Sequence, residues 1–184
     1  MTPWKLRNAA KVIRHGGVIA YPTEAVFGLG CNPLDAAAVE TICAIKNRAL
    51  SKGLILIGAT LEQLLPYCQL SIAQQKKINT ATAKPVTWIV PVHPDCPPWI
   101  NGHHSSIAIR LTRHKIAAQL CLQSNMALIS TSANISGHMP ARTALSVQRM
   151  FANDIDFIVH GDTNRLAKPS EIRDIITGKV IRCA

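Results

Sequence analysis

Short apolar runs bounded by turn residues recur along the chain and predict buried β-strands. Six of them are VIAYP, LILIG, VTWIVPV, SIAIRL, ALIST and FIVHG. Near the C-terminus, IRDIITGKVIRC predicts a hairpin that turns at Thr177-Gly178. The segments PTEAVFGLGCNP and HPDCPPWINGHHS contain proline and glycine, and we interpret both as loops.

Helical periodicity and end signals predict six helices between these strands. The first begins at Thr2-Pro3 and ends before Gly16-Gly17; the others cover AAAVETICAIKNR, TLEQLLPYC, SIAQQKKINTAT, HKIAAQLCLQ and TALSVQRMF. The predicted capping residues are Asp35, Thr60 with Gln63, and Thr143. Because strands alternate with helices and pair locally only at the C-terminus, we expect one α/β domain over residues 1–184, built around a mixed sheet.

Composition supports a single globular domain without a membrane segment. The 184 residues are 48% hydrophobic and 16% charged, which suffices for one well-filled core. No apolar run approaches the roughly 20 residues that span a bilayer, and the N-terminus lacks the apolar block of a signal peptide. The six cysteines are widely spaced without a C-x-x-C pair, so we interpret them as reduced and structural, and we expect no metal site of His and Cys. A cytoplasmic protein is the expectation.

Positive charge is the strongest global signal. The formal net charge is +10, and between Gln63 and Asn153 the only acidic residue is Asp95. A basic field of this kind attracts phosphates, either of a nucleotide or of RNA. The alternative is a solvated basic surface without a ligand.

Several common enzyme classes are excluded by missing motifs. The chain has no G-x-x-x-x-G-K-[ST] loop, no third glycine after FGLG to complete a dinucleotide fingerprint, and no G-x-S-x-G elbow. Carboxylates are few and form no D-x-D pair. The remaining chemistry is that of cations and hydroxyl groups.

Three features are candidates for anion binding. Lys46 and Arg48 can converge on one ligand only if their helix ends there and the chain turns; otherwise they are cations that favour a helix C-terminus. Arg110 shares a strand face with Ser106 and Ala108, which leaves room for an anion, although an edge-strand charge would look the same. The STSAN segment, Ser130–Asn134, follows a predicted strand and suits phosphate oxygens, or is a turn or an N-cap.

Taken together, the ordered segments resemble one family. The segments GGVIAYPTEAVFGLGC, KNR, KGLILI, PVTWIVP, SIAIRLTRH, STSANISG and PSEIRD are similar to those of the YrdC/TsaC family of threonylcarbamoyl-AMP synthases. The resemblance covers the chain from about Gly16 to Arg182 and includes both family hallmarks, K-x-R and S-x-N. It implies a twisted, largely parallel sheet with flanking helices and a basic concave cavity.

The resemblance also implies a reaction. L-threonine, bicarbonate or carbon dioxide, and ATP would give threonylcarbamoyl-AMP and pyrophosphate, with Mg2+ held mainly by ATP and water. A downstream transferase complex would carry the threonylcarbamoyl group to adenosine 37 of tRNA. The residues implied are Lys46 and Arg48 as catalytic phosphate ligands; Asn134, Thr143 and Arg182 for ATP; and Thr23, Arg110, Ser132 and Ser170 for threonine.

The chain departs from the family pattern at four positions. These are Ala25, Ala49, Gly53 and Lys84. The competing hypothesis is a non-catalytic module that binds tRNA or double-stranded RNA, which the basic field supports. Against it, aromatic residues for base stacking make up only 4% of the chain.

Overall fold

A computed structural model describes residues 2–80, 85–151, 153–164 and 170–183. The helices are α1 (Pro3–Arg14), α2 (Ala36–Ile45), α3 (Ile72–Asn79), α4 (Pro98–Asn101), α5 (Lys115–Ser124) and α6 (Ala144–Phe151). The strands are β1 (Ile19–Pro22), β2 (Phe27–Gly30), β3 (Ile55–Gly58), β4 (Val86–Pro91), β5 (Ser106–Leu111), β6 (Leu128–Ser132), β7 (Phe157–Ile158), β8 (Glu171–Asp174) and β9 (Val180–Arg182). Lys84, one of the family departures, lies outside the described residues.

The strands form one mixed sheet in the order β7-β1-β2-β6-β3-β5-β4-β8-β9. The predicted α/β class and mixed sheet are confirmed, but the expected parallel majority is wrong. Across the described strands, only β1–β7, β3–β5 and β4–β8 are parallel, and the other five neighbouring pairs are antiparallel. The reason is that β1–β2 and β8–β9 are hairpins, that β4 and β5 are consecutive antiparallel strands, and that β6 lies antiparallel between β2 and β3.

Strand β2 lies in a segment that we predicted to be a loop. Its glycines were interpreted as turn residues, yet Gly30 pairs with Ile19 inside the sheet. A Cβ atom on Gly30 would lie 2.5 Å from the Ile129 carbonyl oxygen and 2.8 Å from the Tyr21 ring. Glycine is therefore needed here because another strand and a side chain approach closely, as glycine within a strand often indicates.

Two other predictions of secondary structure are wrong. The TLEQLLPYC segment forms only a 3-10 turn at Leu65–Tyr67, because Gln63 accepts a hydrogen bond from the Ala59 N–H and donates one to the Cys121 carbonyl instead of capping a helix. The predicted loop before β5 contains the single-turn helix α4. The Asp35 and Thr143 caps are confirmed, since their side chains accept from the N–H groups of Ala38 and Ser146.

The two faces of the sheet are covered differently. On one face, residues of α2 and α4, including Ile42 and Ile100, pack in a core with Leu56 and Ile109. On the other, α1 and α5 contribute Ile13 and Leu120 to a core that includes Ile57 and Leu128. Since side chains alternate along a strand, Ile55 and Ala108 lie on this second face, where they line a cavity beside the helices.

All six cysteines are free thiols; five are buried, which fits the structural role predicted for them, whereas Cys183 is exposed. Burial raises the pKa of Cys68 to about 11, which is the behaviour of a packed and unreactive thiol. No helix in the described part of the chain is long and apolar enough to cross a bilayer.

Candidate functional site

A cavity of about 440 Å³ occupies this second face of the sheet. It runs along β5, whose residues Ser106, Ala108 and Arg110 all line it, as the predicted strand alternation requires. Residues of β2, β3, β4, β6, β8 and β9 and of the neighbouring loops also line it. The cavity therefore gathers side chains that are distant in the sequence.

Arg110 lies at the closed end of the cavity in a network of hydrogen bonds. Its side chain approaches Glu24 with a distance of 3.7 Å between Nη2 and Oε2, and Nη1 donates to the Ser170 hydroxyl at 3.3 Å. Thr112 donates to the other Glu24 oxygen at 3.1 Å, and the Thr87 hydroxyl lies 2.8 Å from that of Ser170. The guanidinium is thus held by Glu24 and Ser170, which are themselves held by Thr112 and Thr87.

Glu24 is ionised in this setting. Burial alone would raise the pKa of Glu24, but the Arg110 charge and hydrogen bonds from its own backbone N–H and from Thr112 hold it below its usual value. His114 adds a smaller effect that lowers the pKa of Glu24 further. The closed end therefore contains an ion pair rather than a lone cation.

Lys46 and Arg48 could converge on one ligand only if their helix ended there and the chain turned, and both conditions are met. Helix α2 ends at Ile45, and Asn47 has a left-handed φ of 48°, so the chain turns between the two cations. Arg48 lines the cavity and its Nη2 donates to the Gly53 carbonyl at 2.7 Å. The departure Gly53 has a φ of 59°, which suits glycine.

The S-x-N loop is fastened from behind by Lys46. The lysine Nζ donates to the carbonyl oxygens of Ser132 and Asn134, and Ser132 Oγ donates to Asn134 Oδ1 at 2.6 Å. Burial and the nearby Arg48 charge lower the pKa of Lys46 to about 8, so the amine remains mostly protonated at neutral pH. Lys46 lies behind the lining residues, whereas Ser132 and Asn134 face the cavity.

The remaining predicted residues divide into two groups. Thr23, Ser170 and Arg182 line the cavity; Thr23 donates to the Val26 carbonyl at 2.7 Å, and Arg182 donates to the Ser170 carbonyl at 2.8 Å. Thr143 does not line it. Its hydroxyl caps α6 and is exposed, so the structure does not bring it together with the other predicted site residues.

Sequence reasoning missed four charged or polar residues of the described lining, one of which is Asn101, at the end of α4. Glu24 directly follows the predicted Thr23, Lys52 lies within KNRALSKG, and His104 lies in a segment interpreted as a loop. The signal for Glu24 was available, since a lone acid in an apolar strand-to-loop segment needs a buried partner. Lys52 and His104 had no local signal.

The cavity suits a polyanion better than a bare metal ion. Among the residues that the structure describes, its cationic lining residues are Arg48, Lys52, Arg110 and Arg182, and its only acidic lining residue is Glu24. Among the described residues, no group of three or more His, Cys, Asp or Glu side chains is placed to hold a metal. A divalent ion would therefore have to bring most of its ligands with it.

Comparison with known proteins identifies relatives over almost the whole chain. The family model Sua5/YciO/YrdC, described as "Telomere recombination", matches residues 11–184. The protein named threonylcarbamoyl-AMP synthase from Nitrosococcus oceani is 48% identical over 180 residues, covering 97% of each chain. Its namesake from Cellvibrio japonicus is 44% identical over 187 residues, covering 99% of each.

A solved structure has the same fold. The crystal structure of P. abyssi Sua5 complexed with L-threonine aligns with a TM-score of 0.88 at 33% identity. The alignment covers 95% of this chain and 52% of the Sua5 chain, so this chain spans about half of that protein.

Proposed function

The chain belongs to the Sua5/YciO/YrdC family, and from this premise we propose that it is a threonylcarbamoyl-AMP synthase that uses L-threonine, bicarbonate or carbon dioxide, and ATP. The observation that carries the proposal is one cavity lined by Arg48 of K-x-R, by Ser132 and Asn134 of S-x-N, and by the paired Arg110, with Lys46 bound to the S-x-N loop behind the lining. These residues include no activated nucleophile, and the reaction does not need one from the protein because the substrate itself supplies the attacking oxygen.

The chemistry requires positioning and charge neutralisation. The neutral amine of threonine attacks carbon dioxide and loses a proton, which gives a carbamate. A carbamate oxygen then attacks the α-phosphorus of ATP, and the bond from that phosphorus to the bridging oxygen breaks, so that pyrophosphate leaves with the electron pair. Steps of this kind are accelerated by alignment and by fixed positive charge.

The closed end of the cavity suits the threonine substrate. Arg110 would pair with its carboxylate, and Thr23, Ser132 and Ser170 would supply hydroxyl groups. Arg110 and Ser170 are 8% and 4% exposed, so water would be largely displaced when the amino acid binds. Charge-assisted hydrogen bonds are stronger in such surroundings.

The phosphates would lie along the cations of the other walls. Arg48 faces the cavity directly, and Lys46 would act through the loop that it fastens and through its charge. Asn134 and Arg182 would contact the nucleotide. Thr143, which caps α6 away from the lining, remains a family-based expectation. Mg2+ would accompany ATP with phosphate oxygens and water as its main ligands, and it would neutralise phosphate charge.

We also propose the wider setting that the family implies. The product would pass to a threonylcarbamoyl-transferase complex that modifies adenosine 37 of tRNA in the cytoplasm. The RNA-binding alternative is less well supported, because Phe27 is the only Phe, Tyr or Trp among the described lining residues and is fully buried. Bases splayed from RNA would find no aromatic platform there.

The test is pyrophosphate release from ATP by the purified protein. We expect release that requires both L-threonine and bicarbonate. We expect a loss of about a hundredfold or more in Lys46→Ala, because the variant removes both a positive charge beside the phosphates and the hydrogen bonds that hold the S-x-N loop. Lys5→Ala is the matched control and should retain full activity, because Lys5 lies on the exposed side of α1. Release that is independent of threonine, or absent from folded protein with magnesium present, would refute the proposal.

A further inference from the structure

His114 is a buried histidine to which the proposed reaction gives no role. It lies immediately before α5, is 3% exposed, and is not among the described residues that line the cavity. Its ring Nε2 lies 3.1 Å from the Asp162 carbonyl oxygen. Because a carbonyl oxygen can only accept, Nε2 carries the hydrogen and donates it. The ring is therefore held in one orientation by a contact with a distant part of the chain.

On one side, His114 is connected to the carboxylate that restrains the Arg110 guanidinium. The His114 backbone N–H donates to the Thr112 hydroxyl oxygen at 3.4 Å, and that hydroxyl donates to Glu24 at 3.1 Å. The ring is also close enough to Glu24 for its charge to lower the pKa of that carboxyl. Fixing the ring thus fixes a backbone donor that is two hydrogen bonds away from Glu24.

On the other side, His114 binds the segment that contains Asp162 and that leads along the sequence to Ser170. This segment lies directly against α5 and the end of β1. A Cβ atom on Gly161 would overlap the Ile116 side chain and would lie 3.3 Å from Pro22 Cγ. The hydrogen bond from the His114 ring therefore joins the beginning of α5 to the segment that precedes Ser170.

We propose that His114 is a positioning residue for the amino-acid end of the cavity. It is connected to Glu24 through Thr112, and through its ring it fixes the segment that leads to Ser170. Glu24 and Ser170 are the two side chains that hold the Arg110 guanidinium, so one residue steadies both. The inference deepens the proposed function and rests on it, because this guanidinium would receive the threonine carboxylate.

The hydrogen bond to Asp162 matters for the direction of the Arg110 donors more than for the stability of the fold. An apolar side chain in place of His114 would leave the Asp162 carbonyl to bind water, since Asp162 is exposed, and the segment would lose its connection to α5. Pairing of a guanidinium with a carboxylate depends on direction as well as distance. Misplacement of a substrate-positioning group by about 1 Å can cost on the order of a hundredfold in rate.

The experiment is calorimetric titration of L-threonine into the full chain and three variants. His114→Leu removes the donor, whereas His114→Gln keeps an amide N–H near the position of Nε2. We expect threonine affinity to fall about tenfold in His114→Leu and to return to within about twofold of wild type in His114→Gln. Ser124→Ala is the matched control, since Ser124 is a buried polar residue of the same helix that donates to the Leu120 carbonyl and does not line the cavity. It should leave threonine affinity unchanged.

A second measurement needs no ligand. The Arg110 Nε–H has no hydrogen-bond partner among the described residues, and its proton–nitrogen NMR signal reports how the guanidinium is held. The signal is identified by its loss in Arg110→Lys. We expect it to shift in His114→Leu, to return in His114→Gln and to stay in place in Ser124→Ala.

Three results would overturn the positioning role. These are an Arg110 signal that does not move in His114→Leu, a threonine affinity that does not change in this variant, and equal losses of affinity in His114→Leu and Ser124→Ala. An equal loss in His114→Gln would likewise reject the hydrogen bond as the cause. Wild-type protein that binds no threonine would instead refute the proposed function, and the Arg110 signal would then decide whether His114 holds the guanidinium.

Discussion

At the scale of single residues, the Glu24–Arg110 pair determines how the closed end receives a ligand. An unpaired arginine could turn toward any anion, whereas this guanidinium is restrained by Glu24 and Ser170. Its Nε has no hydrogen-bond partner among the described residues. The pair therefore limits the charge of the pocket while it fixes the direction of the donors that remain.

We predict that Glu24→Gln destabilises the protein by about 2 kcal/mol at neutral pH, because a buried cation loses its counter-charge. The pKa of Glu24 is lowered in the folded state, so its contribution is complete above the ordinary value of 4.5 and is lost as pH falls through the folded pKa. Thermal unfolding of both proteins from pH 7 to pH 3 measures this difference. A gap that stays constant or widens in acid would contradict it.

At the scale of elements, two turns approach each other closely where Lys52 and His104 line the cavity. A Cβ atom on Gly102 would lie 2.5 Å from the Ser51 carbonyl oxygen and 2.8 Å from the Gly53 nitrogen. Both contacts are with backbone, which cannot move aside as a flexible side chain can. The turn that carries Lys52 therefore depends on this glycine.

We predict that Gly102→Ala lowers the free energy of unfolding by about 3 kcal/mol, from left-handed strain plus the backbone clash. Gly137→Ala is the matched control, since Gly137 also has a positive φ, of 84°, but nothing lies within 4 Å of its Cβ position. It should cost about 1 kcal/mol. Urea denaturation measures both, and equal losses would show that strain alone matters.

Elements also show what the sequence could and could not predict. The K-x-R and S-x-N segments and the face of Arg110 follow from local pattern, because helix ends and strand alternation are local properties. We predicted that Gln63 would cap a helix, but its side chain instead donates a hydrogen bond to the Cys121 carbonyl of α5, a contact between segments distant in the sequence. The position of β6 between β2 and β3, and the pairing of Glu24 with Arg110, depend on distant segments that no local window contains.

At the scale of the whole molecule, the chain carries a net charge of +10, and the described cavity lining contributes four cationic residues against one acidic residue. A concave, basic surface focuses its field and raises the local concentration of polyanions. L-threonine, with no net charge, gains nothing from this long-range attraction. The positive field therefore attracts ATP more strongly than it attracts threonine.

We predict that raising the ionic strength from about 0.05 M to 0.3 M increases KM for ATP several-fold and leaves KM for threonine nearly unchanged, because salt screens long-range attraction. Steady-state kinetics at constant magnesium measures both constants. Equal increases in KM for ATP and in KM for threonine would contradict this prediction, because they would mean that salt perturbs the fold or the chemical step rather than the attraction of ATP.

The cavity takes its walls from strands that are far apart in the sequence, so no isolated segment can contain a binding site. Ligand binding therefore raises the free energy of global unfolding, rather than only the free energy of opening one loop. Amide hydrogens in β3, β5 and β6, buried at the centre of the sheet, would exchange more slowly when substrates are bound. Those at the ends of α1, which fray locally, would exchange at the same rate as before.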